Sequence, residues 1–203
     1  IILTCLASKL SNKQVIWVED RLEHLTAASS ATGRLTKLRA SINEKGLIEA
    51  LDYDQIDDVG AYPRAPEPAS LYRMHGNLSG AYKVKNIRCR NRVVLTNKTP
   101  SGLNRGFGGP QHYFALERLV HQIAVELNLN ALDVIKVNLL EKKQFPYKSP
   151  SGALLDSGDF QKLVRKVVKS STYKNILKKK NNAIKNGKIY GIGYSAVSYT
   201  HLR

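Results

Sequence analysis

The sequence is poor in the residues that build the most easily recognised sites. It has two cysteines, Cys5 and Cys89, in 203 residues. Two thiols so far apart make neither a disulfide framework nor a four-ligand metal site. Both read as buried thiols in a reducing compartment, so a cytoplasmic setting is expected. No apolar run approaches the roughly 18 residues that a membrane span needs. Residues 1–10 are apolar but short, and their basic residue follows the apolar stretch, the reverse of a secretory signal. No Gly-Lys-Ser/Thr closes a phosphate loop, no glycine triplet has dinucleotide-fingerprint spacing, and no serine sits in a nucleophile elbow.

Acid is missing from one end. Residues 161–203 contain no Asp or Glu, while ten Lys or Arg fall between Lys162 and Lys188, in a chain of net charge +16. Such an excess suits nucleic acid, an acidic membrane surface or an acidic protein partner. Nucleic-acid readers interleave cations with exposed aromatics, and here Tyr173 alone interrupts the stretch. A solvated helix, or one facing an acidic neighbour, suits the pattern better. A basic nucleic-acid-binding or scaffolding protein is the rival reading.

What is present can fill a core: 42% of residues are hydrophobic, as in an ordinary globular domain. Residues 1–10 form a helix end or a buried strand, since so short a run does not separate the two. Gln14 to Val18 reads as a strand and Glu19 to Ala28 as a short helix. Leu35 to Ile42 alternates apolar and polar, Asn43 to Gly46 turns, and Leu47 to Tyr53 returns as the second strand of a hairpin. Residues 57–68, with Gly60, Pro63, Pro66 and Pro68, read as loop. Tyr82 to Leu95 is strand-rich, and Lys98 to Pro110 is a glycine-rich loop. Gln111 to Leu127 carries a helical stripe of Leu116, Leu119, Val120 and Ile123, with Pro110 placed where a helix tolerates it. Further helices are expected at Ala131 to Leu140 and from Ser157 or Asp159 through Val168, and a closing strand at Ile189 to Val197. The fold class is α+β, with residues 1–203 forming a single segment.

Several polar clusters invite a metal reading. Glu19, Asp20, Glu23 and His24 offer too few ligands at helical spacing for a closed site and suit a solvated helix start. Asp52, Asp54, Asp57 and Asp58 lack the glycine and closing Glu of a calcium loop. His112 and His121 read as structural. No metal ligand is assigned.

The informative stretch is Arg105-Gly106-Phe107-Gly108-Gly109-Pro110-Gln111. Gly106, Gly108 and Gly109 let backbone approach a ligand closely and aim N–H groups at it. The helix that follows adds partial positive charge, Arg105 adds a cation and Phe107 a flat apolar face. An anion or a planar aromatic ligand suits such a loop, and so does a tight connector with an incidental arginine.

This stretch resembles the active-site loop of the molybdenum hydroxylases: the xanthine dehydrogenase, aldehyde oxidoreductase and carbon monoxide dehydrogenase family, in its large molybdopterin-binding subunit. The likeness continues in order along the chain. Val15 to His24, Asp58 to Pro63, Ala115 to Leu119, Phe145 to Tyr147 and Ser151 to Asp159 each resemble a family segment. The resemblance implies an internal piece of that subunit. It implies an oxidoreductase that hydroxylates an aldehyde or N-heterocycle with water-derived oxygen, using a molybdopterin-type molybdenum cofactor. Iron–sulfur clusters and FAD would sit on partner subunits.

By resemblance, Arg105 orients the substrate and is the catalytic-site candidate, while Phe107 and, upstream, Arg73 border the substrate. Gly106, Gly108, Gly109 and Gln111 belong to the cofactor-proximal loop. Copper-containing members place a cysteine after the loop arginine. Gly106 stands there, which points to a hydroxylase rather than a carbon monoxide oxidiser. The family's glycine-rich cofactor loop is expected before Ile1 and its catalytic Glu beyond Thr200, so the isolated chain is expected to be inactive and cofactor-free.

Overall fold

The computed structural model describes residues 1–31 and 33–197. The hairpin forms and is longer than its alternation suggests. Strands β1 (Gly33–Ile42) and β2 (Ile48–Asp58) pair antiparallel from Gly33 opposite Asp58 to Ile42 opposite Ile48. Gly46, at φ 75°, makes the turn. A third strand, β3 (Asn86–Val94), joins the other side of β2 in parallel. The strand-rich stretch from Tyr82 is thus shorter than its composition suggests, and Tyr82 contributes only an isolated bridge to Leu139. A parallel partner needs a crossover, and residues 59–85 supply it, carrying the short helix α3 (Ala69–Tyr72).

Alternation along β2 sorts its side chains between two faces. Leu51, Tyr53, Gln55 and Asp57 point inward and are buried. Asp52 and Asp54 point outward, where Arg39 and Arg88 pair with Asp52 and Arg92 with Asp54. Arg88, with Arg39, holds the Asp52 carboxyl far below the usual carboxylate range. Asp58 is lowered to about 2 by hydrogen bonds from Thr96, the Gly60 amide and Lys98. The four aspartates are therefore partners of cations and backbone.

The inner face is covered by α4 (Gly109–Glu126), whose Leu116, Val120, Ile123 and Ala124 are buried. Helix α5 (Ala131–Asn138) follows at once and adds Val134 and Ile135 to the same core. Buried Asn138 ties this layer to the hairpin turn. It accepts from the Ile48 amide at 2.8 Å and donates to the Gly46 carbonyl at 2.8 Å. A two-residue ribbon, β4 (Tyr147–Lys148) with β5 (Leu154–Leu155), precedes α6 (Phe160–Lys169). Asp159 caps α6 by accepting from the Lys162 amide at 2.8 Å. The basic stretch continues as α7 (Ser171–Lys185), capped by Ser170.

The N-terminal run is helical, α1 (Ile2–Ser11), with no buried residue. Its Cys5 is exposed and Cys89 only half-buried, so the buried-thiol expectation fails at Cys5. Helix α2 (Arg21–Ala27) opens on a capping box between Asp20 and Glu23, and His24 Nδ1 lies 2.5 Å from Glu19. That cluster is helix capping and an ion pair.

Two expected strands are not strands. Gln14 to Val18 has no ladder, and Ile16, Trp17 and Val18 are exposed. Ile189 to Val197 has none either. β-Branched and aromatic composition makes a segment fit for a sheet, but a strand exists only where another strand takes its N–H and C=O groups. No such partner stands beside either segment among the described residues. No helix among the described residues is long and apolar enough to cross a membrane.

Candidate functional site

Two long connections leave the sheet from the same end, the carboxyl end of the parallel pair β2 and β3. They are stitched together as they leave. The Val59 amide donates to the Val94 carbonyl, the Thr96 amide to Gly60, the Ala61 amide to Lys98, and the Ser101 amide to Val59, all at 3.0–3.1 Å. Gly60 is at φ 80°, and a Cβ there would lie 2.6 Å from the Thr99 carbonyl oxygen. The loop tips beyond this seam are where open sheets with parallel strands place ligands.

The tips bring two of the expected residues together. Arg73 caps the carboxyl end of α3, and its guanidinium lies over the ring of Phe107, 5.3 Å from the centroid. A cation at that distance is attracted by the negative face of the ring. Phe107 sits in a run of three left-handed residues: Gly106 at φ 106°, Phe107 at 39° and Gly108 at 85°. Glycine takes such angles without strain, and a non-glycine residue persists there only where its surroundings hold it. The turn is closed by the Phe107 amide on Asn104 and the Gly109 amide on Gly106.

Gly108 is required for a second reason. A Cβ there would fall 1.8 Å from the Ser70 carbonyl oxygen, so the loop backbone rests directly on α3. The same carbonyl accepts from Arg34 Nη2 at 3.0 Å. Arg34 in turn forks onto Asp57 at 2.6 and 2.8 Å, with side chains 2% and 0% exposed. Neither residue stands out in the loop motif. Their signal is parity: Arg34 shares its face of β1 with Leu38 and Ala40, and Asp57 shares its face of β2 with Leu51 and Tyr53. The period-two rule places both inside.

Arg105 is exposed, with no ion-pair partner among the described residues. Gln111 takes a different position. With Arg34, Leu38, Phe114 and Arg118 it lines an open groove of about 910 Å³ between β1 and α4, which Arg73, Arg105 and Phe107 do not line. His112 is fully buried, stacked on Tyr53 and edge-on to Tyr113. Burial and the nearby Arg34 charge lower it to about 4. His121 Nε2 lies 2.7 Å from the Tyr194 carbonyl oxygen and ties α4 to that segment. Both histidines are structural.

The molybdopterin cofactor-binding domain family matches residues 1–139. The chain belongs to this family. The carbon monoxide dehydrogenase large chain of Hydrogenophaga pseudoflava is 29% identical over 173 residues, covering 82% of this chain and 21% of that protein. The nicotine 6-hydroxylase large subunit of Paenarthrobacter nicotinovorans is 28% identical over 193 residues, 94% of this chain and 23% of that one. The solved quinoline 2-oxidoreductase of Pseudomonas putida 86 superposes with a TM-score of 0.78 at 26% identity, over 92% of this chain and 24% of its own. The chain spans less than a quarter of the length of these relatives.

The loop residues of this molybdopterin-binding segment suit such a cofactor, an anionic, oxygen-rich group. The amides of Gly106 and Gly108 find no acceptor among the described residues. Helix α4 opens on Gly108 with no side-chain cap, so an anionic group at this end of the helix meets its partial positive charge. Arg105 adds a free cation beside them.

Proposed function

We propose that residues 1–203 are one segment of the large subunit of a molybdopterin-dependent hydroxylase that oxidises an N-heterocycle or aldehyde with oxygen from water. The observation that carries this reading is Arg73 lying over Phe107 at the tip of the cofactor-proximal loop. A flat apolar ring beside a guanidinium fork suits a planar substrate that carries a ring nitrogen or carbonyl. Two relatives are named for nicotine and quinoline, both N-heterocycles. A third is named for carbon monoxide, but Gly106 offers no sulfur where that branch is expected to hold copper.

Bound, the cofactor would supply oxygen transfer and a two-electron sink. This chain's residues hold and orient. The Gly106 and Gly108 amides would hold the cofactor from one side. Phe107 would pack against the substrate ring, Arg73 would donate to its heteroatom, and Arg105 would balance negative charge developing there. Iron–sulfur clusters and FAD on partner subunits would carry the electrons away, and an assembly with such subunits is part of the proposal.

The test uses the purified complex that contains this chain. Molybdenum content is measured, then turnover of an N-heterocycle, an aromatic aldehyde and carbon monoxide with an artificial acceptor in ¹⁸O-labelled water. Label in a hydroxylated heterocycle or in the acid is expected. Oxidation of carbon monoxide alone overturns the reading.

A further inference from the structure

The Arg34–Asp57 pair is costly to keep. Both side chains are out of water, and an apolar pair at this cross-strand position, where the two residues are direct partners, would hold the hairpin at least as well. What an apolar pair lacks is the second arm. Arg34 spends Nε and Nη2 on Asp57 and still donates from Nη2 to the Ser70 carbonyl.

Ser70 is fixed from other sides too. Its amide and hydroxyl both donate to the buried Glu67 carboxylate, at 3.2 and 2.5 Å. It belongs to α3, and the Arg73 amide closes that helix on the Ala69 carbonyl at 3.0 Å. The Ser70 carbonyl therefore sits one helical turn before Arg73. Across it lies Gly108, next to Phe107, in a contact that excludes even one extra carbon. One oxygen atom is shared by the sheet, the α3 turn and the glycine loop.

We infer that Arg34 is a positioning residue for the substrate face: through the Ser70 carbonyl it sets the place of Arg73 on one side and of Phe107 on the other. This rests on the proposed function for its consequence in turnover, but not for its consequence in structure. Arg34 touches neither ring nor fork. It acts by holding the backbone on which both stand, and an ångström-scale slip there is enough to separate them.

Two variants of the assembled enzyme test it. Arg34→Lys keeps a cation against Asp57 but loses the planar fork that serves both acceptors. The double variant Arg34→Leu with Asp57→Leu removes both buried charges and leaves no uncompensated one. Both are expected to raise KM for an aromatic substrate about tenfold while kcat stays within about threefold, the pattern of lost substrate binding. KM for a small aliphatic aldehyde should move much less. Independently of turnover, tryptic cleavage after Arg73 and Arg105 should become about fivefold faster relative to cleavage in α7, because local opening sets such rates. The double variant should keep its Tm, which separates positioning from stability. A double variant that is folded, with unchanged KM and unchanged cleavage after both arginines, overturns the inference. Faster cleavage with no heterocycle or aldehyde turnover in the parent enzyme retains it and removes the proposed function instead.

Discussion

Arg73 stands 5.3 Å from the ring centroid of Phe107, although one follows β2 and the other follows β3. The pairing is a product of the parallel register of those strands. Because both run the same way, the connections they feed emerge side by side, and four backbone hydrogen bonds hold them so. The glycine loop then folds back until Gly108 rests on Ser70. The face that Arg73 and Phe107 share thus arises from two segments that share no local sequence motif.

Arg105 is the exposed cation at the loop tip, with no ion-pair partner among the described residues. Arg105→Ala in the assembled enzyme should lower kcat/KM by about two orders of magnitude. Removing one positioned donor to developing charge typically costs roughly 2.7–4 kcal/mol. Stability should change little, because the side chain makes no buried contact. Steady-state kinetics paired with a thermal melt check this, and unchanged turnover would remove Arg105 from the site.

His112 gives the fold an acid-sensitive limb. The unfolded chain takes up this proton near pH 6.5, whereas the folded chain holds the ring neutral down to about 4. Between those values the unfolded state binds more protons, so stability falls as pH drops through that window. A shift of that size corresponds to about 3 kcal/mol at full protonation. His112→Phe keeps a ring between Tyr53 and Tyr113 and removes the proton. Urea unfolding at pH 7, 5.5 and 4.5 should show a flatter slope in the variant, and parallel slopes would contradict this account.

Asn138 is a single buried amide serving three backbone groups: the Ile48 amide and the carbonyls of Gly46 and Val134. Asn138→Ala strands the Ile48 and Gly46 groups out of water. The expected loss is about 2–4 kcal/mol, since an unsatisfied buried polar group costs about 1–3 kcal/mol. Denaturant unfolding should show a lower midpoint with an unchanged m-value. A loss below about 1 kcal/mol would mean that the turn finds other partners.

The basic helices α6 and α7 should not bind nucleic acid tightly. Leu163, Val164, Val167 and Val168 of α6 line an apolar groove with α5 and residues 193–197. Tyr173, the one aromatic in the basic stretch, meets the Tyr194 hydroxyl at 3.0 Å. Its hydroxyl is engaged within the fold rather than offered to a base. A gel-shift titration at near-physiological salt should find no submicromolar binding to single strand or duplex. Tight binding that weakens steeply with salt would reverse that view.

Much of this protein follows from its sequence because the controlling forces there are local. The stripe of Leu116, Val120 and Ile123 needs only helical spacing to define α4, and Asp159 marks the start of α6 by its own side chain. Asn43 to Gly46 turns the hairpin with its own backbone. The order of the motifs, with Arg105 to Gln111 at their centre, was enough to identify the family before any geometry. Tertiary structure alone decided what depends on a partner. Gln14 to Val18 and Ile189 to Val197 have the composition of strands, but among the described residues no neighbour supplies a ladder. The composition of β3 makes it strand-like, yet nothing in it says that it lies parallel to β2. Arg73 carries no local mark of its place: it meets Phe107 in the folded chain, where Gly108 packs on the Ser70 carbonyl that Arg34 also holds. Side-chain periodicity is written one residue after another, whereas the pairing of distant backbone is settled only when the whole core closes.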